Sequence, residues 1–186
     1  MVAAAYGGVV PSVCTGAHVD LANLQRCRCA IQPPAGSHAS CGARLEKLAI
    51  AGSVDIAVSV APQPITSGAA MTIVVTITNR SRGDLPIVFS ELAPHLQNAL
   101  GIQDARRNEV ARDERCRSGY INSPSDFLVV LPSSGVAEWR LPWRASTLMS
   151  CSGAWQPLVF GAYGIEVRLP LVQFPNAIAR GTMRVQ

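Results

Sequence analysis

From residue 53 onward, apolar and polar side chains alternate with a period of two. In "VDIAVSVA", Val54, Ile56, Val58 and Val60 stand against Asp55, Ala57 and Ser59, as in a half-buried strand whose successive side chains face opposite ways. After a turn in "PQPITSGAA", "MTIVVTITN" repeats the pattern with Met71, Ile73, Val75 and Ile77 on one face. "RSRGD" is a polar turn into a strand at "LPIVFS", and "DFLVVLPSSG" reads as a strand followed by a turn. Ala137, Trp139, Leu141 and Trp143 then alternate with Glu138 and Arg140. In "YGIEVRLPL", Tyr163, Ile165, Val167, Leu169 and Leu171 share a face, with Glu166 and Arg168 opposite. A last strand is expected over residues 177–186. "LGIQDARRNEVARD" predicts a hairpin with its tip at "DARRN", Ile102 and Val110 facing inward, while "ELAPHLQNAL" suits a loop with a helical turn. Short strands punctuated by Gly and Pro, with no long helical period between them, predict an all-β antiparallel sandwich.

Residues 1–50 read differently. They hold Cys14, Cys27, Cys29 and Cys41 and have little strand periodicity. "HVDLANLQRC" places Val19, Leu21 and Leu24 at helical spacing, and "ARLEKLAI" does so with Leu45 and Leu48. Pro33, Pro34 and Gly36 interrupt any regular structure between them. So short a segment buries little core alone, and cross-links would compensate. The expected organisation is therefore a Cys-rich extension over residues 1–50 and a sandwich over residues 51–186.

Bulk properties narrow the class. A chain of 186 residues with 48% hydrophobic and 15% charged side chains has ample material for a core. The net charge of +4 is mildly basic, and among 16 basic side chains only Lys47 is a lysine. That skew fits a GC-rich bacterial genome, and without a basic stripe interleaved with aromatics no nucleic-acid partner is expected. No apolar run is long enough for a transmembrane helix. The opening "MVAAAYGGVVPSVC" lacks the charged and sustained apolar regions of an intact signal peptide. In an exported protein it would be a mature start behind an added methionine. "PSVC" is also a poor match to a lipoprotein cleavage box.

Four stretches stand in a telling order. "VVTITNRSRGDLPIVFS" has a strand–Asn–polar turn–strand form, and "LGIQDARRNEVARD" follows as a hairpin with a charged tip. "VLPSSGVAEWRLPW" is a Leu-Pro-x-x-Gly turn feeding a strand with a core tryptophan, and "LVFGAYGIEVRL" has a Gly-x-Tyr strand start. Over roughly residues 53–186 this order resembles the bacterial intracellular proteinase inhibitor family and its extracytoplasmic relatives. Residues 1–50 have no counterpart there. The resemblance implies an immunoglobulin-like β-sandwich, with Tyr163 as a tyrosine corner and Trp139 between the sheets. Proteinase inhibition is one activity it implies, although a shared fold does not fix function. The chain departs from that family in its six cysteines.

An even number of cysteines in a strand-rich chain points to disulfides and an extracytoplasmic location. Extended backbone turns Cys27 and Cys29 apart. Pairing within the segment then leaves Cys14–Cys27 with Cys29–Cys41, or Cys14–Cys29 with Cys27–Cys41. Cys116 and Cys151, in polar stretches, are expected to pair with each other. The competing reading is a zinc site of Cys27, Cys29, His38 and Cys41, soft ligands for a tetrahedral ion at a spacing that matches no common zinc frame. Without Cys-x-x-Cys, redox catalysis is not expected.

No Gly-x-Ser-x-Gly, His-Glu-x-x-His or phosphate-cradling glycine loop occurs, so no enzyme and no cofactor is expected. Asn79-Arg80-Ser81 matches a glycosylation sequon, but in a bacterial chain it reads as a turn. The charged hairpin carries Arg106, Arg107 and Arg112, whose planar guanidinium forks suit an acidic or glycan partner. The functional expectation is an exported, non-enzymatic binding or structural module of the bacterial cell envelope, contacting a protein or glycan. The alternatives are a proteinase inhibitor and a zinc-binding module.

Overall fold

The computed structural model describes residues 10–28, 50–90, 100–112, 126–147, 156–174 and 176–186, with the backbone alone at 111 and 112. The described fold is all-β. After a short 3₁₀ turn at Ser12–Cys14 come β1 (His18–Asp20) and a longer 3₁₀ turn at Leu21–Cys27. The strands that follow are β2 (Val54–Ala61), β3 (Ala70–Asn79), β4 (Leu85–Phe89), β5 (Leu100–Gln103) and β6 (Glu109–Arg112). The last six are β7 (Phe127–Leu131), β8 (Val136–Arg144), β9 (Ser146–Thr147), β10 (Gln156–Pro157), β11 (Gly161–Arg168) and β12 (Ile178–Val185).

Two four-stranded sheets, β1-β8-β3-β2 and β12-β11-β5-β6, contribute their inward faces to one apolar cluster. In β3 the alternation is strict, with Met71, Ile73, Val75 and Ile77 buried and the threonines between them only half-buried. Ala137, Trp139 and Leu141 of β8 enter the same core, as do Tyr163, Ile165 and Val167 of β11. These are the faces expected from period two, because a strand's side chains alternate whatever the sheet order. On the outer face of β11, Glu166 lies directly opposite Arg180 in register, with their charged atoms 3.4 Å apart.

After β2 the chain leaves one sheet and joins the other. Pro62 and Pro64 cannot donate to a ladder, and beyond them Ile65 bridges Val185 in parallel, its N–H donating to the Arg184 carbonyl. β12 therefore lies close against β2. A Cβ on Gly181 would stand 2.8 Å from the Val58 carbonyl oxygen, so only glycine permits that approach.

β4 and β7 form a two-stranded ribbon that is buried on both faces. Ile87, Phe89, Phe127, Val129 and Leu131 face the main core, while Val88 and Leu128 are covered by Val10 and Val172. The outer edge of β4 is satisfied by a side chain. Gln173 accepts from the Val88 N–H at 2.8 Å and donates to the Pro86 carbonyl at 2.9 Å, closing an edge that could otherwise pair with another chain.

The described N-terminal residues are woven into this body. β1 pairs in parallel with β8, and Thr15 and Arg28 bridge β7. Val19, Leu21, Leu24 and Cys27 belong to the main core. The helical spacing read in "HVDLANLQRC" takes the form of a 3₁₀ turn over Leu21–Cys27. Val19 lies in a strand, and Leu21, Leu24 and Cys27 recur every three residues, the period of a 3₁₀ turn. Asp20 caps that turn, accepting from the Ala22 N–H at 2.9 Å. "ELAPHLQNAL" falls mostly outside the described residues, as does all of "ARLEKLAI" except Ile50, which is fully buried.

Candidate functional site

The β5–β6 hairpin is organised by one carboxylate. Asp104 Oδ1 accepts from the backbone N–H groups of Arg106 and Asn108, both at 2.8 Å, and Oδ2 accepts from Asn108 Nδ2 at 3.1 Å. Backbone bonds between Asp104 and Asn108, and from Arg107 to Asp104, close the turn. The Asn108 side chain does most to hold the Asp104 carboxyl below the usual carboxylate range; desolvation opposes it, and the two amides and the nearby Arg106 charge each add a lesser lowering. Ile102 is fully buried and Val110 packs against the core, so the strands anchor the tip as the alternation implied.

With Asp104 engaged by amides, Arg106 and Arg107 project into solvent, and among the described residues neither forms an ion pair. Arg107 adopts a φ of +64°. That left-handed conformation suits glycine and costs an L-residue with a Cβ about 1–2 kcal/mol. An arginine kept in such a position is the kind of local conflict that clusters at functional sites. Arg112 ends β6 opposite Gly101, and its side chain lies outside the described residues.

A second feature stands at the same end of this sheet. β5 runs antiparallel to β11 with Gln103 opposite Gly164, so the turn after Gln103 extends toward the start of β11 and the residues before it. Those residues are Val159 and Phe160, 75% and 78% exposed. Their backbone is pinned on both sides. The buried Leu158 donates its N–H to Ala145 O at 2.8 Å and accepts from the Ser67 hydroxyl, and the Tyr163 hydroxyl donates to Val159 O at 2.7 Å. Burial, followed by the charge of Asp104, pushes the Tyr163 hydroxyl above its ordinary range. Sequence reasoning singled out the arginines but not Val159 and Phe160. The signal was the run Leu158-Val159-Phe160, since three consecutive apolar side chains cannot all face inward on a strand of period two.

Other sequence candidates fall elsewhere. Cys14 and Cys27 form a disulfide buried in the core, with Cα atoms 5.5 Å apart. Cys27 in that form offers no thiolate, so the zinc set of Cys27, Cys29, His38 and Cys41 loses a ligand. Cys29, His38 and Cys41 lie outside the described residues, as do Cys116 and Cys151 with their expected pairing. Among the described residues no three His, Cys, Asp or Glu side chains gather as a metal site. Nor is any helix there long and apolar enough to cross a membrane.

Asn79 of the sequon is fully buried. Its Nδ2 donates to the carbonyls of Gly83, Leu131 and Pro132 at 2.8, 2.9 and 3.0 Å, and its Oδ1 accepts from the Ser81 N–H at 2.7 Å. The side chain ties the β3–β4 turn to the end of β7, and its amide nitrogen is not available to a glycan.

No family model matches the chain, and no curated protein matches it. Among solved structures it is similar to a β-glucosidase from Erythrobacter marinus at 13% identity and a TM-score of 0.39, covering 72% of this chain and 15% of that one. A β-D-glucoside glucohydrolase from Trichoderma reesei aligns at 16% identity and a TM-score of 0.35, covering 72% and 19%. The DNA glycosylase AlkC of Pseudomonas fluorescens, bound to DNA with an abasic site analogue, aligns at 12% identity and a TM-score of 0.33, covering 71% and 30%. The chain thus spans less than a third of the length of each of these proteins.

Proposed function

We propose that this chain is an exported, non-enzymatic binding module of the bacterial cell envelope, built as an immunoglobulin-like β-sandwich. The two sheets around one core, the passage of the chain from β2 to the Ile65 bridge with β12, and the Tyr163 corner support the architecture. The buried Cys14–Cys27 disulfide is compatible with an oxidising compartment. The observation that carries the binding role is the hairpin tip. Asp104 is consumed in holding the turn, and Arg106 and Arg107 are left exposed on a rigid support. Loops held on a rigid scaffold are where binding residues concentrate, and the partner is a protein or glycan of the envelope.

The test combines location and charge. Cell fractionation of the source bacterium should recover the protein outside the cytoplasm. Reversing Arg106, Arg107 and Arg112 together to glutamate should abolish retention of envelope components on the immobilised protein while the melting curve stays unchanged. A cytoplasmic protein, or unchanged retention by the folded triple variant, rejects the reading.

A further inference from the structure

Exposed large apolar side chains are few among the described residues, and the two that stand out are neighbours, Val159 and Phe160. They sit at the end of the β11 sheet toward which the Arg106–Arg107 turn extends. Both groups are presented by backbone that is already fixed, one by Asp104 and the other by Leu158 and Tyr163. Fixed presentation lowers the ordering cost of association. Aromatic and arginine side chains are also the types that dominate binding energy at protein interfaces.

We infer that Val159 and Phe160, with Arg106 and Arg107, form one composite docking surface for an acidic protein segment that carries an apolar anchor residue. The inference rests on the hairpin reading above and adds the partner's chemistry. Charge complementarity selects the occupant. Arg106 and Arg107, which form no ion pair among the described residues, call for carboxylates, and a second copy of this chain carries a net charge of the same sign, +4. An aliphatic valine beside the phenylalanine suits a buried side chain of a protein.

The probe is a displayed library of random peptides selected on the immobilised full chain. Selected peptides should be enriched in Asp and Glu flanking an aromatic or leucine. Their affinity should fall at least about tenfold with Phe160→Ser, a loss expected when a central aromatic anchor is truncated. It should fall comparably with Arg106→Glu plus Arg107→Glu, and added salt should weaken binding to the parent protein more than to the arginine variant. Circular dichroism melts confirm that each variant is folded, and Val159→Ser serves as a second probe of the apolar half. Loss of binding on arginine reversal with none on Phe160→Ser or Val159→Ser leaves the hairpin reading standing and overturns the composite surface. Insensitivity to both kinds of variant overturns both readings. Peptides without acidic enrichment, self-association abolished by Phe160→Ser, or retention of purified envelope glycan in place of peptide would each overturn the acidic-protein assignment.

Discussion

The Tyr163 hydroxyl donates to the carbonyl oxygen of Val159 at 2.7 Å, fixing from inside the core the backbone of the large apolar pair most exposed among the described residues. The ring is buried with Ile165 and Val167, so one side chain both fills the core and sets the loop. Tyr163→Phe keeps the ring and removes the bond, and should lower stability by about 1 kcal/mol while leaving the strands intact. The phenol's pKa is raised on folding, so the folded chain holds this proton more tightly than the unfolded one. The associated stability is complete below the unfolded value near 10.0 and is lost as pH rises through the folded value. Urea denaturation at neutral and strongly alkaline pH, on parent and Tyr163→Phe, measures it. An alkaline loss of equal size in the two proteins would sink the assignment.

Arg107 is held at a φ of +64°. Arg107→Gly relieves the contact of its Cβ with the backbone but adds freedom to the unfolded chain. The net expectation is a gain of about 0.5 kcal/mol, together with weaker capture of an acidic partner. Stability and binding should therefore move in opposite directions, which a residue of purely structural value would not do. Thermal melts paired with a binding isotherm provide the comparison.

Asn79 offers its Nδ2 to three main-chain carbonyls in a fully buried position. Asn79→Asp replaces that donor with a carboxylate facing carbonyl oxygens and should cost about 3 kcal/mol at neutral pH. Protonation of the new carboxyl restores a donor, so the deficit should shrink in acid. Chemical denaturation across the acidic range reads this directly, and a deficit independent of pH would point to another cause.

The Cys14–Cys27 link closes a loop with a sequence separation of 13. By the loop-entropy model it contributes roughly 3 kcal/mol, and replacing both residues with alanine should remove most of that. Cleavage after Arg26 and Arg28 separates Cys27 from Cys29. Mass spectrometry of the unreduced tryptic digest should therefore find the Cys14 peptide joined to the Cys27 fragment. A Cys14–Cys29 species would contradict the structure.

The strand faces were determined locally. Met71, Ile73, Val75 and Ile77, and Tyr163, Ile165 and Val167, face the core because alternation is a property of each strand, readable without knowing its partners. The hairpin tip at Asp104–Asn108 was equally legible, since its turn residues lie close in sequence. Other features needed the whole chain. Which cysteine meets Cys14 depends on how residues 12–27 lie against β7 and β8, and period alone left two patterns open. Whether Asn79 faces a glycan or the core was decided by Leu131 and Pro132, more than fifty residues away. That Val159 and Phe160 point outward was decided by Ala145, Ser67 and Tyr163, which pin the backbone on either side of them. Burial and hydrogen bonding between distant segments are set by packing, and only the tertiary structure brings those segments together.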